Sequence, residues 1–188
     1  MAPLLSSSDT CVLFVDPRKQ HLDNLDQAIQ KQLDNRFQLL ANAASAAGVP
    51  CHFVFERDAS NQREWLAFPK AVDEGRVQSI AETEPAWQSP GLASALATDN
   101  RSRLVICGFW LETRVSFLAL HALSAGFDLF LLTDAAPPYA EHARDPSSLR
   151  LWQAGATPIT TRQLIAEWAE QATDQKLRED LCRLLRPD

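Results

Sequence analysis

The chain is poor in the residues that mark common cofactor and metal sites. Only six of its 188 residues are glycine, and the turn after the first apolar run, DPRKQ at 16–20, contains none. Glycine-rich loops of dinucleotide-binding and P-loop proteins are therefore absent from that turn. The four cysteines form no CxxC pair and the four histidines show no HxH or HExxH spacing. We expect no metal and no cofactor, and cysteines that are small buried residues in the reduced form.

Membrane segments and basic stripes are missing from the sequence as well. No apolar run approaches the roughly 18 residues that a membrane helix requires. The first ten residues, MAPLLSSSDT, lack the basic and apolar regions of a signal peptide. The net charge is −6 and the basic residues do not cluster, which argues against nucleic acid as a partner. These features predict a cytoplasmic protein that binds a small molecule and neither a membrane nor a nucleic acid.

The apolar runs that are present alternate between strand and helix patterns. Strands are predicted at 11–16, 51–58, 104–107, 127–134 and 157–160, with a short sixth near 77–80. Helices are predicted at 23–47, 91–98, 111–125, 146–153, 161–172 and 175–185. This alternation predicts an α/β domain with a parallel sheet covered by helices on both faces. We expect one domain over 1–188, with 1–9 and 173–188 at its periphery, and we assign no role to the polar segment 59–86.

Two acidic residues, Asp16 and Asp134, end predicted strands. The carboxyl ends of parallel strands form the edge where an open sheet binds its ligands, so both are candidates for a functional site. The alternative for each is a structural one, because aspartate is common in turns and beside helix starts.

A third candidate lies where the strand that ends at Gly108 turns directly into a helix. Arg114 stands in the first turn of that helix, where the helix dipole opposes a positive charge by roughly 0.3–1 kcal/mol. An anionic partner is therefore expected, and Asp16, Glu82 and Glu112 are available. We predict an ion pair between Arg114 and Asp16. If the helix begins a residue or two differently, Arg114 reaches solvent instead.

The order of these pieces resembles the isochorismatase-like cysteine hydrolase superfamily. The resemblance rests on the strand that ends at Asp16, the helix head from Gly108 to Val115, and the stretches ALHALSAGFDLFLLTDA and LWQAGATPITTRQLIAEW. The last two are most similar to the YcaC-like branch. The resemblance covers roughly 9–172 and implies a three-layer α/β/α, Rossmann-like fold with a doubly wound, six-stranded parallel sheet. It also implies a homo-oligomer and hydrolysis of amides or imines by an Asp, Lys and Cys set.

Only one member of that catalytic set has a counterpart in this sequence. Asp16 matches the aspartate, whereas the place of the nucleophilic cysteine falls on Arg114. The region that matches the lysine, SIAETEPAW, contains no basic residue, and Glu82 is the nearest candidate. Thr113 and Ser116 point about 100° and 200° away from Arg114 on an α-helix, so neither is expected to replace the nucleophile. Cys107 is expected to pack inside its strand.

Aromatic residues near these positions are candidates for binding. Phe109 and Trp110 lie in the turn at the helix head, and Trp87 precedes the segment that corresponds to a helix start. Trp152 and Trp168 have helical spacing and are expected in the core. The helix after Arg114 is apolar on nearly all sides, so a second surface, another subunit or another helix of the same chain, should cover it.

Three hypotheses about function follow. The first is a binding or assembly protein on this fold that has lost cysteine catalysis. The second is an active hydrolase for a vinyl ether or a related C–N or C–O substrate, with Asp16 as general acid and Arg114 as the anchor of a substrate carboxylate. The third, an unrelated flavodoxin-like or nucleotide-binding protein, is disfavoured by the glycine-poor loops.

Overall fold

The computed structural model of the chain describes residues 4–23, 25–57, 66, 76–81, 87 and 90–186. Within them, the strands are β1 (Thr10–Val15), β2 (Cys51–Arg57), β3 (Val77–Ala81), β4 (Arg103–Gly108), β5 (Asp128–Leu132) and β6 (Thr157–Ile159). The helices are α1 (Lys19–Leu22), α2 (Gln27–Ala47), α3 (Pro90–Thr98), α4 (Ser116–Ser124), α5 (Arg144–Gln153), α6 (Thr161–Gln171) and α7 (Gln175–Leu184). A π-helical turn, Leu111–Val115, leads into α4, and a 3₁₀ turn, Glu141–Ala143, leads into α5.

The six strands form one sheet in the order β3-β2-β1-β4-β5-β6, and each neighbouring pair is parallel. The chain builds one half of the sheet outward from β1 and the other half outward from β4. The direction of winding therefore reverses between these two strands, and in open sheets of this kind ligands bind at the carboxyl ends beside such a reversal. The predicted doubly wound, three-layer α/β fold is confirmed.

Side chains of β1 alternate between two separate cores, one on each face of the sheet. Val12 and Phe14 pack into a core with Phe37 of α2 and Trp168 of α6. Cys11, Leu13 and Val15 pack into a second core. The second core contains these residues of α3, α4 and α5: Leu92, Leu96, Leu118, Ala122 and Leu151. A strand buried on both faces explains why CVLFV reads as a continuous apolar run.

Two helical predictions require correction. The helix predicted at 23–47 begins four residues later, as α2 at Gln27, and the short helix α1, which was not predicted, precedes it. It ends as predicted at Gly48, which adopts a left-handed conformation with φ 63°. Trp168 is fully buried as predicted, but Trp152 on α5 is 43% exposed, so its predicted core position is wrong.

The terminal segments also contribute to the core. Leu5 and Leu181 are both fully buried in the core that contains Phe37, and α7 contacts α2 and α6. None of the helices in the described ranges has the length and apolar character needed to cross a bilayer.

Candidate functional site at the carboxyl edge of the sheet

Gly108 brings the end of β4 against the end of β1. Its φ is +120°, a conformation that side chains rarely permit, and a Cβ built on it would lie 1.9 Å from the carbonyl oxygen of Val15. The next residue, Phe109, donates its backbone N–H to that same oxygen at 2.8 Å. Asp16 directly follows Val15, so the two loops leave the sheet side by side.

The carboxylate of Asp16 is the centre of a largely buried cluster of polar side chains. Arg18 contacts both of its oxygens, with Nε 2.5 Å from Oδ1 and Nη2 2.8 Å from Oδ2. His21 Nε2 lies 2.8 Å from Oδ2. The side chains of Arg18 and Asp16 are each 6% exposed, whereas that of His21 is 15% exposed. His21 is therefore the member of this cluster with the most access to solvent.

Asp16 is a carboxylate rather than a carboxylic acid at neutral pH. Burial alone would raise the pKa of its carboxyl group, but the hydrogen bonds from His21 and Arg18 outweigh burial and hold the pKa below its ordinary value. An ionised carboxylate can only accept hydrogen bonds. The His21 nitrogen that faces Asp16 must therefore carry the proton and donate it.

A row of aromatic rings runs from the core to the surface, and two neighbours in this row, Phe109 and Trp110, pack against His21. Its imidazole centroid lies 5.2 Å from that of Phe109 and 5.4 Å from that of Trp110. Phe109 continues inward to Phe37 at 5.7 Å, and Trp110 continues outward to Tyr139 at 5.3 Å. Phe109 is 1% exposed and Tyr139 is 72% exposed. Phe109 therefore supports the site from behind, whereas Trp110 and Tyr139 form its rim.

The backbone at Tyr139 is held by Glu112 from the head of the helix. Both carboxylate oxygens of Glu112 accept the Tyr139 N–H, at 2.9 and 3.0 Å, and one also accepts the Ala140 N–H at 3.1 Å. Leu111 donates its N–H to the carbonyl oxygen of Pro137 at 3.0 Å. These bonds join the loop after β5 to the turn after β4.

Arg114 is half-buried and lies in the π-helical turn. Because of this turn, the regular α-helix begins two residues after Arg114. The side chains that contact the Asp16 carboxylate within the described ranges are those of Arg18 and His21, not that of Arg114. The predicted Arg114–Asp16 ion pair is therefore wrong. Its physical reason is that the turn after β1 already supplies a guanidinium two residues from the carboxylate.

The other predicted positions fall in different places. Glu82 lies outside the described residues. Trp87 packs against His121 of α4 and against Phe127, the residue before β5, so its contacts lie toward the amino end of that strand and not beside Asp16. Asp134 accepts hydrogen bonds from both the backbone N–H and the hydroxyl of Thr161, each at 2.9 Å. Its role is the structural one, at the start of α6.

No thiol is available at the carboxyl edge. Cys107 precedes Gly108 but is fully buried, and burial raises its pKa well above the ordinary value. Burial also raises the pKa values of Cys11 and Cys51 to about 12. Cys182 is exposed but lies on α7. None of these four cysteines is therefore placed to supply a thiolate nucleophile at this edge.

Arg18, His21 and Tyr139 were not among the residues singled out from the sequence. The signal that could have identified two of them is position, since Arg18 and His21 lie two and five residues beyond Asp16 in the loop that leaves the carboxyl end of β1. Across the ranges that the structure describes, no three His, Cys, Asp or Glu side chains are grouped closely enough to hold a metal ion.

Comparisons with known proteins agree on one family. The model of the isochorismatase domain matches residues 10–163. The probable hydrolase YcaC of Escherichia coli K12 is 37% identical over 75 residues, which cover 40% of this chain and 36%, about a third, of that protein.

Solved structures show the same fold. YcaC from Pseudomonas aeruginosa, with hexane-2,5-diol and covalent acrylamide, is 24% identical with a TM-score of 0.81, over 98% of this chain and 91% of that one. The E. coli YcaC gene product, an octameric hydrolase of unknown specificity, is 24% identical with a TM-score of 0.78, over 98% of this chain and 90% of that one.

Proposed function

Because the chain belongs to the isochorismatase family, we propose that it is a hydrolase-like member that lacks cysteine-hydrolase activity and acts as a binding or assembly protein. Its ligand is a small molecule that enters at the carboxyl edge beside His21 and Trp110. The observation that carries this proposal is that this edge holds no accessible thiol among the described residues, which include all four cysteines. The sequence resemblance, which assigns Arg114 to the place of the nucleophile, supports it.

The electrostatic state of Asp16 supports the same proposal. A catalytic aspartate that activates a nucleophile must be basic enough to accept its proton. Both oxygens of Asp16 accept hydrogen bonds, and its charge is balanced by Arg18. These contacts hold the pKa of the Asp16 carboxyl group below its ordinary value and so make the carboxylate a weaker acceptor for a nucleophile's proton.

The second candidate is a hydrolase that works without cysteine, in which Arg114 anchors a substrate carboxylate. Asp16 does not suit the general-acid role in this hypothesis, because its lowered pKa leaves it without a proton to donate at neutral pH. The Asp16–His21 contact is the observation that favours this candidate, since histidine exchanges protons near neutral pH.

Self-association is part of the proposal. The E. coli YcaC relative is octameric, and this chain leaves Phe117 of α4 54% exposed and Trp152 of the adjoining α5 43% exposed.

The proposal also places the protein in the cytoplasm, since all four cysteines are free thiols. The net charge of −6 favours a small ligand over nucleic acid.

Alkylation of thiols tests the proposal directly. The protein is incubated with acrylamide and, separately, with a panel of small amides, and adducts are located by peptide mass spectrometry. The wild type should give an adduct at Cys182 only and no amide turnover. Arg114→Cys should gain an adduct at position 114, and Thr113→Cys, which places a thiol on the neighbouring exposed residue, is the matched control.

Comparison of Arg114→Cys with Thr113→Cys distinguishes a thiol at a reactive site from a thiol that is merely exposed to solvent. A rate at position 114 at least tenfold above that at position 113 would support a former nucleophile position at the helix head. Equal rates would remove that support. Amide turnover by the wild type that is lost on alkylation would overturn the proposal.

A further inference from the structure

His21 has the arrangement of a proton-transfer group whose tautomer is fixed. Its Nε2 lies 2.8 Å from Oδ2 of Asp16, and the carboxylate can only accept. The proton of a neutral imidazole must then reside on Nε2, which leaves the lone pair on Nδ1. The second nitrogen of the ring is thus an acceptor.

That second nitrogen is the part of the ring left for a ligand. Within the described part of the chain, the hydrogen bond of the His21 ring is the one between Nε2 and Asp16, and the His21 side chain is 15% exposed. The contrast is His52, which is 1% exposed and whose Nδ1 is buried without a hydrogen-bond partner. Phe109 and Trp110, whose ring centroids lie 5.0 Å apart, both pack against the imidazole of His21. The ring is therefore held by Asp16 and by two aromatic neighbours at a partly exposed position.

Arg18 determines what Asp16 contributes to this pair. Because Arg18 contacts both oxygens of the carboxylate, the charge of Asp16 is already compensated. Its remaining effect on His21 is to hold the ring and its tautomer, as carboxylates do for histidines in other sites. Asp16 is on this basis a positioning residue.

We infer that Nδ1 of His21 is the proton acceptor of the carboxyl edge, and that the ligand presents an O–H or N–H group to it. The inference rests on the proposed small-molecule site. Trp110 and Tyr139 supply the apolar side of that site, since their rings meet edge to face and Tyr139 is 72% exposed. The ligand class is therefore a small apolar molecule with a hydroxyl or amide N–H, or an ester that is attacked by a bound water.

For an ester, the proton balance is complete without a further reagent. Nδ1 takes a proton from water as the water oxygen bonds to the carbonyl carbon. The tetrahedral intermediate then breaks its bond to the alcohol oxygen, and that oxygen receives the proton back from Nδ1. The products are a carboxylic acid and an alcohol, and His21 returns to its starting state.

Nitrogen NMR of the protein labelled with ¹⁵N-histidine tests the tautomer on which the inference depends. The wild type should show His21 protonated on Nε2 with a free lone pair on Nδ1, and Asp16→Asn should give a mixture of tautomers. A proton on Nδ1 in the wild type, or no change in Asp16→Asn, would overturn the inference.

Hydrolysis of p-nitrophenyl acetate tests the chemistry, after Cys182 has been blocked with iodoacetamide. His21→Gln should lower the second-order rate constant at least tenfold, whereas His142→Gln, at an exposed histidine, should leave it within twofold. Equal rate constants in His21→Gln and His142→Gln would overturn the inference that His21 accepts a proton during hydrolysis.

A third measurement needs no variant and covers the case in which His21→Gln fails to fold. Diethyl pyrocarbonate should modify His21 of the wild type and should leave His52 unmodified; the reverse order would contradict the inference. Failure of the proposed function would give a different result. The wild type would then hydrolyse amides in a thiol-dependent reaction, and His21→Gln would not change that turnover.

Discussion

Arg18 contacts both oxygens of Asp16, Nε to Oδ1 at 2.5 Å and Nη2 to Oδ2 at 2.8 Å, and both side chains are 6% exposed. A paired arrangement of this kind is the strongest form of contact between arginine and a carboxylate. Its burial makes the two charges depend on each other, because either one alone would remain in a poorly solvated place.

Arg18→Met should therefore be strongly destabilising. The change leaves a buried carboxylate with His21 as its remaining partner, and removal of one member of a buried pair costs about 3–5 kcal/mol. Arg144→Met is the matched control, since Arg144 pairs with Glu141 at 2.5 Å on the surface and exposed pairs contribute about 0–1 kcal/mol. Urea unfolding followed by circular dichroism measures the free energy of unfolding of both variants. Similar losses of stability in the two would contradict a strongly stabilising buried pair.

Stability should depend on pH through His52. This histidine is 1% exposed, its Nε2 lies 2.5 Å from Asp99 Oδ2, and Arg76 Nη2 lies 3.6 Å from Asp99 Oδ1. Burial lowers the pKa of His52 despite the hydrogen bond to Asp99. The unfolded chain then binds the proton more readily than the folded protein, so stability is present above about pH 6.5 and is lost as the pH falls through the folded pKa.

The His52 effect can be measured by urea unfolding at pH 5, 6, 7 and 8. His52→Gln keeps a donor for Asp99 but cannot titrate, so its free energy of unfolding should vary less over this range than that of the wild type. His142→Gln, at an exposed position, should retain the wild-type dependence. A wild-type slope in His52→Gln would assign the pH dependence to another group.

Gly108→Ala should disrupt the contact between the ends of β4 and β1 at the carboxyl edge of the sheet. The added Cβ would lie 1.9 Å from the Val15 carbonyl oxygen, and the paired strands hold both that oxygen and the backbone that would carry the Cβ in place. We expect a loss above about 4 kcal/mol, which is exceptional for one substitution. Gly126→Ala shares a positive φ, +93°, but has nothing within 4 Å of the added atom, so it should cost only the backbone strain of about 1–3 kcal/mol. Thermal unfolding of the two variants gives the comparison.

Phe117→Glu should dissociate the assembly without unfolding the subunit. Phe117 lies on α4 with 54% of its surface exposed, and a charge there would be costly to bury between subunits. Sedimentation velocity should show smaller species, while the melting temperature extrapolated to low concentration stays near the wild-type value. Leu4→Glu, at another apolar residue that is 43% exposed, is the control. A monomeric wild type would refute the proposed self-association.

The sequence was sufficient to predict the sheet and the ends of its two central strands. Strands buried on both faces leave continuous apolar runs, and Asp16 and Gly108 mark where two of these runs end. Those features are local, so they predicted that the loops after β1 and β4 leave the sheet at the same edge. That this edge is the functional site stays a prediction.

The charge pairing within the site could not be predicted in the same way. Whether Arg18 or Arg114 reaches Asp16 depends on the path of the loop, which includes a φ of 49° at Asp16 itself. The π-helical turn at Leu111–Val115 likewise changes where side chains point at the helix head. Exposure of Trp152 has the same origin, because periodicity shows that a helix has an apolar stripe but not what covers every residue of it.

Asp16, Arg18 and His21 come from a single uninterrupted run of six residues, 16–21, while the rings that pack against His21 are contributed by a distant part of the chain. These three polar groups are consequently encoded together. Exchanging that hexapeptide for the corresponding segment of a relative would replace all three at once and leave the residues that supply the aromatic rings unchanged.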